Sequence, residues 1–226
     1  MMFETLFPNV VLEKAWDQTV ETLFMTGVSL IFVFIFGLIL GLLLFLTSKG
    51  SLWDHPSIRW VNWMVAAFVN IFRAIPFVLL IVILIPFTTK IIGTMIGAQA
   101  ALPALVVGTA PFYARMVEIG LREIDKGVIE AAKSMGASTF TIIFKVLIPE
   151  SLPSIVSGLT VTTIALVGST AIAGIIGAGG LGNYAYTDGF SRGRTDVTVF
   201  ATIAILLIVF AVQYIGDVIT KKIDKR

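Results

Sequence analysis

The sequence predicts an all-α, polytopic membrane protein with five transmembrane helices. The first ground is residue balance: of 226 residues, 57% are apolar and only 13% charged, with a mean hydropathy of +0.98. A soluble domain carries about 25% charged residues, so this chain has too little charge to clothe a water-exposed surface. A water-soluble globular enzyme and a disordered or fibrous chain are thereby excluded. The second ground is spacing, since five nearly uncharged runs approach the roughly 20 residues a helix needs to cross about 30 Å of hydrocarbon.

Span one covers 23–46. It is too long for a signal-peptide core, and Glu4, Glu13, Asp17 and Glu21 precede it in place of a basic segment, so no cleavage is expected. Residues 1–226 accordingly read as a single transmembrane domain. Span two, 61–87, is interrupted by Arg73 and Pro76. Span three, 98–114, contains Pro103 and Pro111, whose freed backbone groups neighbouring helices must satisfy. Span four covers 154–176 and span five 197–216.

Five spans put the termini on opposite sides, and the basic residues orient them. With the N-terminus outside, eleven fall on the inner side: Lys49, Arg59, Arg115, Arg122, Lys126, Lys133, Lys145, Lys221, Lys222, Lys225 and Arg226. Four, Lys14, Lys90, Arg192 and Arg194, fall outside. Trp53, Trp60 and Trp63 crowd the inner start of span two, where indole rings favour the headgroup level.

The segment 115–150 is the one long, charged inner loop, and it reads as two short amphipathic helices. Asp125 is placed to cap the first, whose apolar residues Val128, Ile129, Ala132 and Met135 recur at helical spacing. Gly136 supplies a left-handed stop. Ser138 or Thr139 can cap the second helix, which runs through Phe140, Ile143, Phe144 and Leu147 and is expected to end at Pro149. Such helices either lie on the lipid interface or dock into a partner.

Glu130-Ala131-Ala132, then Gly136 after three intervening residues, and Val146-Leu147-Ile148-Pro149 after nine more resemble the signature loop of membrane subunits of bacterial ABC importers. The usual ending is Ile-x-Leu-Pro, from which Val146 and Ile148 are mild apolar departures. The resemblance implies a type I importer permease whose coupling helix, here Glu130, Ala131, Ala132, Met135, Gly136 and Pro149, sits in a cleft of an ATPase subunit. Four further stretches are similar to the methionine importer branch. They are Phe72-Arg73-Ala74-Ile75-Pro76-Phe77 with Ile85-Pro86-Phe87-Thr88, 110–118, 149–153 and 177–182. That branch implies a homodimer in a bacterial cell membrane, two ABC ATPase subunits that bind ATP and Mg, and an external substrate-binding protein delivering methionine. Permeases for glycine betaine and similar osmolytes share part of the pattern and form the alternative.

Other features have competing readings. Of Gly177, Gly179, Gly180 and Gly182, the first, second and fourth match the spacing of a dinucleotide fingerprint, which needs a preceding strand. Following a membrane span, they read instead as a compact outer turn or re-entrant backbone, using positive φ and close approach. No P-loop sequence occurs, so any ATP must be bound by another chain. Arg73 is the one formal charge inside a predicted span, and reads as structural, pairing with carbonyls or Glu118, or snorkelling to the interface, or lining the path. Pro76 reads as a kink or hinge. Span four is rich in small polar residues, of which Thr163, Ser169 and Thr170 are candidates to line a pathway for a zwitterion; the bland alternative is helix packing. Gly37 and Gly41 form a G-x-x-x-G packing face.

Exclusions complete the reading. With no cysteine and a single histidine, His55, neither a thiolate or histidine metal site nor a convincing catalytic set is available, and the chain is expected to be no enzyme. A net charge of +2 gives no reason to expect nucleic acid. An ion-coupled secondary transporter working alone is the rival class, but no Asp or Glu falls in the core of any span.

Overall fold

The structure, a computed structural model, describes residues 5–224; Glu4, Lys225 and Arg226 lie outside that range. Every element among the described residues is helical. Helix α1, Leu12–Leu46, begins well ahead of the apolar run. Glu13 in its first turn faces the positive end of the helix dipole, and Thr19, Thr22 and Thr26 return their hydroxyls to carbonyls one turn back.

The second apolar run is not one helix. Helices α2, Arg59–Ala74, and α3, Phe77–Ile92, meet at a bend of 110°. Pro76 stands immediately before α3 with φ −56° and ψ 132°. The residue before a proline is disfavoured in helical geometry, so the helix stops there. Pro76 therefore makes a corner rather than a kink in a continuous span. By length and composition four helices among the described residues can cross a membrane, or five if this bent pair counts as one.

Helix α4, Ala98–Arg122, carries Pro103 and Pro111 without a break. Helix α5, Lys126–Ser134, is followed by α6, Thr139–Ala178, which is helical without a break as far as Ile176. The expected stop at Pro149 is not observed. A π turn at Ile143–Leu147 widens the helix just before the proline, and Ile148 N–H donates to the Ile143 carbonyl five residues back. That wider turn relieves the clash a proline ring otherwise makes in a regular helix. Helix α7, Gly180–Asn183, continues through a π turn at Tyr184–Gly189, and α8 spans Thr195–Ile223.

The chain divides into two compact units. One comprises the chain up to Phe32, Ile75–Thr109 and Thr163–Gln213; the other comprises Val33–Ala74, Ala110–Thr162 and the chain from Tyr214. In the first, Met25, Leu105, Leu166 and Ala173 form one core, and Ala15, Leu181, Tyr184, Val197 and Ala201 another. In the second, Phe45, Leu46, Tyr113, Val117, Leu121 and Leu147 are the centre of a larger core. The G-x-x-x-G face packs as its spacing predicts. A Cβ on Gly37 would stand 2.6 Å from the Tyr113 ring, and one on Gly41 2.6 Å from both the Ala114 carbonyl and the Val117 Cβ.

Candidate functional site: the α5–α6 turn

The turn that carries the signature loop is fixed by local chemistry. Asp125 caps α5, its carboxylate accepting from the Gly127 N–H at 2.6 Å. Met135 ends the helix, and Gly136 reverses the chain at φ +75°, where a side chain would be strained. Ala137 N–H then donates to the Ala132 carbonyl. Ser138 caps α6, accepting from the Thr141 N–H at 3.3 Å. Of the two capping candidates, Ser138 is the one used.

The same turn divides its side chains between two faces. Ala132, Ile142, Ile143 and Leu147 enter the core of their unit. Glu130, Ala131, Met135 and Gly136 face outward, and Met135 is 81% exposed. Phe140 and Phe144 are 72% and 62% exposed, their rings stacked with centroids 6.5 Å apart. Ala132 thus serves packing on its own chain, and Pro149, also exposed, sits one turn beyond the aromatic pair. The result is a rigid, capped turn presenting a methionine and two phenylalanines.

Behind it lies a charge cluster. Glu118, 3% exposed, accepts from Arg115 at 2.5 Å and from both Nε and Nη2 of Arg122, at 3.0 and 2.8 Å. The expected pairing of Arg73 with Glu118 is therefore not observed, because the carboxylate is saturated by arginines three and four residues away on its own helix. That i, i+3 and i, i+4 spacing was available in the sequence. Arg73 instead lies exposed in the last turn of α2, where a cation complements the helix dipole.

In the other unit the glycine-rich stretch forms a compact turn. Gly177, Gly179 and Gly180 adopt φ of +108°, +83° and +78°. Gly182 is helical, and a Cβ there would collide with the Ala171 backbone. Gly180 N–H donates to Glu21 Oε2 at 2.7 Å and Leu181 N–H to Thr22 Oγ1 at 2.8 Å. A helix precedes the stretch, not the strand a dinucleotide fingerprint requires. Nearby, Asp188, 5% exposed, pairs with Lys14 at 2.6 Å and Arg192 at 2.9 Å. Neither anchor, Glu21 nor Asp188, was predicted; nothing local marks them.

The pathway candidates occupy α6. Thr163 and Thr170 are buried and Ser169 is half-buried. Ser169 and Thr170 donate to the Ala165 and Val167 carbonyls, which leaves their oxygens as acceptors. Among the described residues no group of three His, Cys, Asp or Glu side chains converges as a metal site would.

Comparison with known proteins places these features. Residues 50–226 match the family of binding-protein-dependent transport system inner membrane components. The methionine import system permease protein MetP of Bacillus subtilis is 65% identical over 225 residues, covering all of both chains. A probable D-methionine transport system permease protein of Pasteurella multocida is 43% identical, covering 94% of this chain and 99% of that one. A structure of the MetNI methionine ABC transporter in an inward-facing conformation superposes with a TM-score of 0.90 at 43% identity, covering 95% and 98%.

Proposed function

We propose, from the premise that this chain belongs to the family of binding-protein-dependent transport system inner membrane components, that it is the permease of an ATP-driven methionine importer. Two copies form the translocation pathway, and two separate ATPase subunits bind ATP and Mg and supply the hydrolysis. An external binding protein delivers the substrate. The full-length likeness to methionine permeases supports the substrate, and the eleven-to-four distribution of basic residues supports an outer N-terminus and a cytoplasmic C-terminus.

The coupling role rests on one observation: the capped turn holds Met135, Phe140 and Phe144 rigidly in the open. Large apolar side chains displayed on a fixed turn suit a pocket in another protein. Glu130, Ala131, Gly136 and the exposed Pro149 complete that surface, while Ala132 shapes it from within the chain. An element so fixed moves as a body when the ATPases close. It thereby links nucleotide state at one end to substrate access at the other, as coupling between sites requires. Thr163, Ser169 and Thr170 offer uncharged oxygens to a zwitterion without a deep electrostatic trap. The compact glycine turn, tied to Glu21, gives the binding protein a firm surface on the outer side.

Replacing Gly136 by valine tests the coupling. The substitution should reduce both recovery of the ATPase subunit with the purified permease and methionine-dependent ATP hydrolysis in proteoliposomes. Full assembly and full transport in that variant would remove the loop from the mechanism.

A further inference from the structure

A second polar feature adjoins the coupling turn and shares Glu130 with it. The loop that follows α1 and one face of α5 line an open cavity of about 180 Å³. Lys126 and Lys133, seven residues apart, lie on the same face of α5 as Ile129 and Glu130, and Lys49 faces them from the loop. Arg122 completes the wall, so four cations meet one carboxylate.

Arg122 is held by Glu118, but among the described residues none of the three lysines makes an ion pair. An ammonium group has three donors and no acceptor, and three of them with Arg122 around one cavity outnumber its single carboxylate, Glu130. The site therefore holds more positive charge and more donors than its one carboxylate can satisfy, an excess that a phosphate offsets.

The surroundings select among phosphates. Phe45, Leu52 and Ile129 form the rest of the wall, and the loop leaves the apolar end of α1 directly. Trp53 packs on the core next to it, while Trp60 and Trp63 are 60% and 72% exposed on the amphipathic helix α2. Indoles beside basic residues mark the headgroup level of a bilayer, and basic pockets at the cytoplasmic ends of spans take anionic headgroups. We propose that this cavity binds the phosphodiester headgroup of an anionic phospholipid of the inner leaflet, with Lys49, Lys126 and Lys133 as its charge contacts. The assignment rests on the inward orientation given above.

The test is native mass spectrometry of the intact transporter, permease with its ATPase subunit, titrated with phosphatidylglycerol and separately with phosphatidylcholine. Wild type should bind phosphatidylglycerol in preference. Each of Lys49→Gln, Lys126→Gln and Lys133→Gln should weaken that binding about fivefold, and all three together about a hundredfold. The Lys221→Gln/Lys222→Gln pair, equally basic but elsewhere, should leave it unchanged, and Lys→Arg at the three sites should retain it. All three lysines are exposed, so the substitutions leave the core intact, and an unchanged melting temperature checks this. Equal affinity of wild type and triple variant overturns the proposal. So does displacement of the lipid by excess inorganic phosphate, which would make the occupant a soluble anion. Loss of the ATPase subunit from the triple variant in pure phosphatidylcholine also overturns it, by making the cavity part of the subunit interface. Methionine uptake in matched proteoliposomes separates the two readings: wild type that transports methionine without lipid discrimination defeats only the lipid site, and the reverse result defeats only the transport assignment.

Discussion

Met135 offers the sharpest separation between docking and folding. It is 81% exposed, so its side chain contributes little to the chain's own core. Burying a whole methionine side chain is worth about 1.5–3 kcal/mol, and covering the exposed share alone about 1.2–2.4 kcal/mol. Alanine keeps part of that area, so Met135→Ala should cost the complex about 1–2 kcal/mol. At 1.4 kcal/mol per factor of ten, the ATPase subunit should bind about 5- to 30-fold more weakly. The assay is a titration of labelled ATPase subunit onto detergent-purified or nanodisc-held permease, beside thermal unfolding of the permease alone. The expected pattern is weakened binding with an unchanged melting temperature. Unchanged binding would refute the claim that the exposed turn is the docking surface. A lowered melting temperature with unchanged binding would show that Met135 packs on its own chain after all.

Three further perturbations address the fold around that turn. Gly41→Val places a branched side chain 2.6 Å from the Ala114 carbonyl and the Val117 stem, and should destabilise the α1–α4 contact by about 1–3 kcal/mol. Gly27→Ala, with nothing within 4 Å of the added carbon, should be neutral or slightly stabilising; comparing the two melting temperatures checks the pair. Glu118→Ala removes the carboxylate shared by Arg115 and Arg122, whose side chains remain 44% and 52% exposed and can hydrate. The loss should therefore stay near about 1–3 kcal/mol, and a double-mutant cycle with Arg122→Gln in thermal unfolding should show coupling between the two positions. The Gly50 backbone N–H, and after it the Arg59 guanidinium, hold the Asp54 carboxyl below its usual 3.8. A depressed carboxylate stabilises the fold above the unfolded value and ceases to as pH falls through the folded one. The melting-temperature gap between wild type and Asp54→Asn should accordingly be widest above pH 3.8 and close at more acid pH.

What the sequence made legible was local. Asp125, Gly136 and Ser138 are cap and turn residues whose chemistry acts within four positions, and each occupies the predicted place. The G-x-x-x-G face was legible for a similar reason, since smallness at helical spacing has one main use. The corner at Pro76 was hidden inside an apolar run that hydropathy cannot divide, because both arms are apolar enough to read as one span. The passage of α6 through Pro149 depends on a π turn, a choice of hydrogen-bond register that leaves no compositional trace. The glycine turn announced itself, but its anchor did not: Glu21 lies 159 residues from Gly180, and their contact exists only once the helices have packed. Ala132 shows the limit within a motif, since three consecutive motif residues share a string but not a face, and a helix sends the third inward.

The central claim is that this chain carries methionine only when its inner turn is driven by an ATPase. It is tested most directly by labelled methionine uptake into proteoliposomes that hold the permease, its ATPase subunit and the binding protein. Uptake should require ATP, be competed by unlabelled methionine and not by glycine betaine, and fall with Met135→Ala in step with ATPase-subunit binding. Uptake that runs without ATP on an ion gradient, or that betaine competes and methionine does not, would contradict the account.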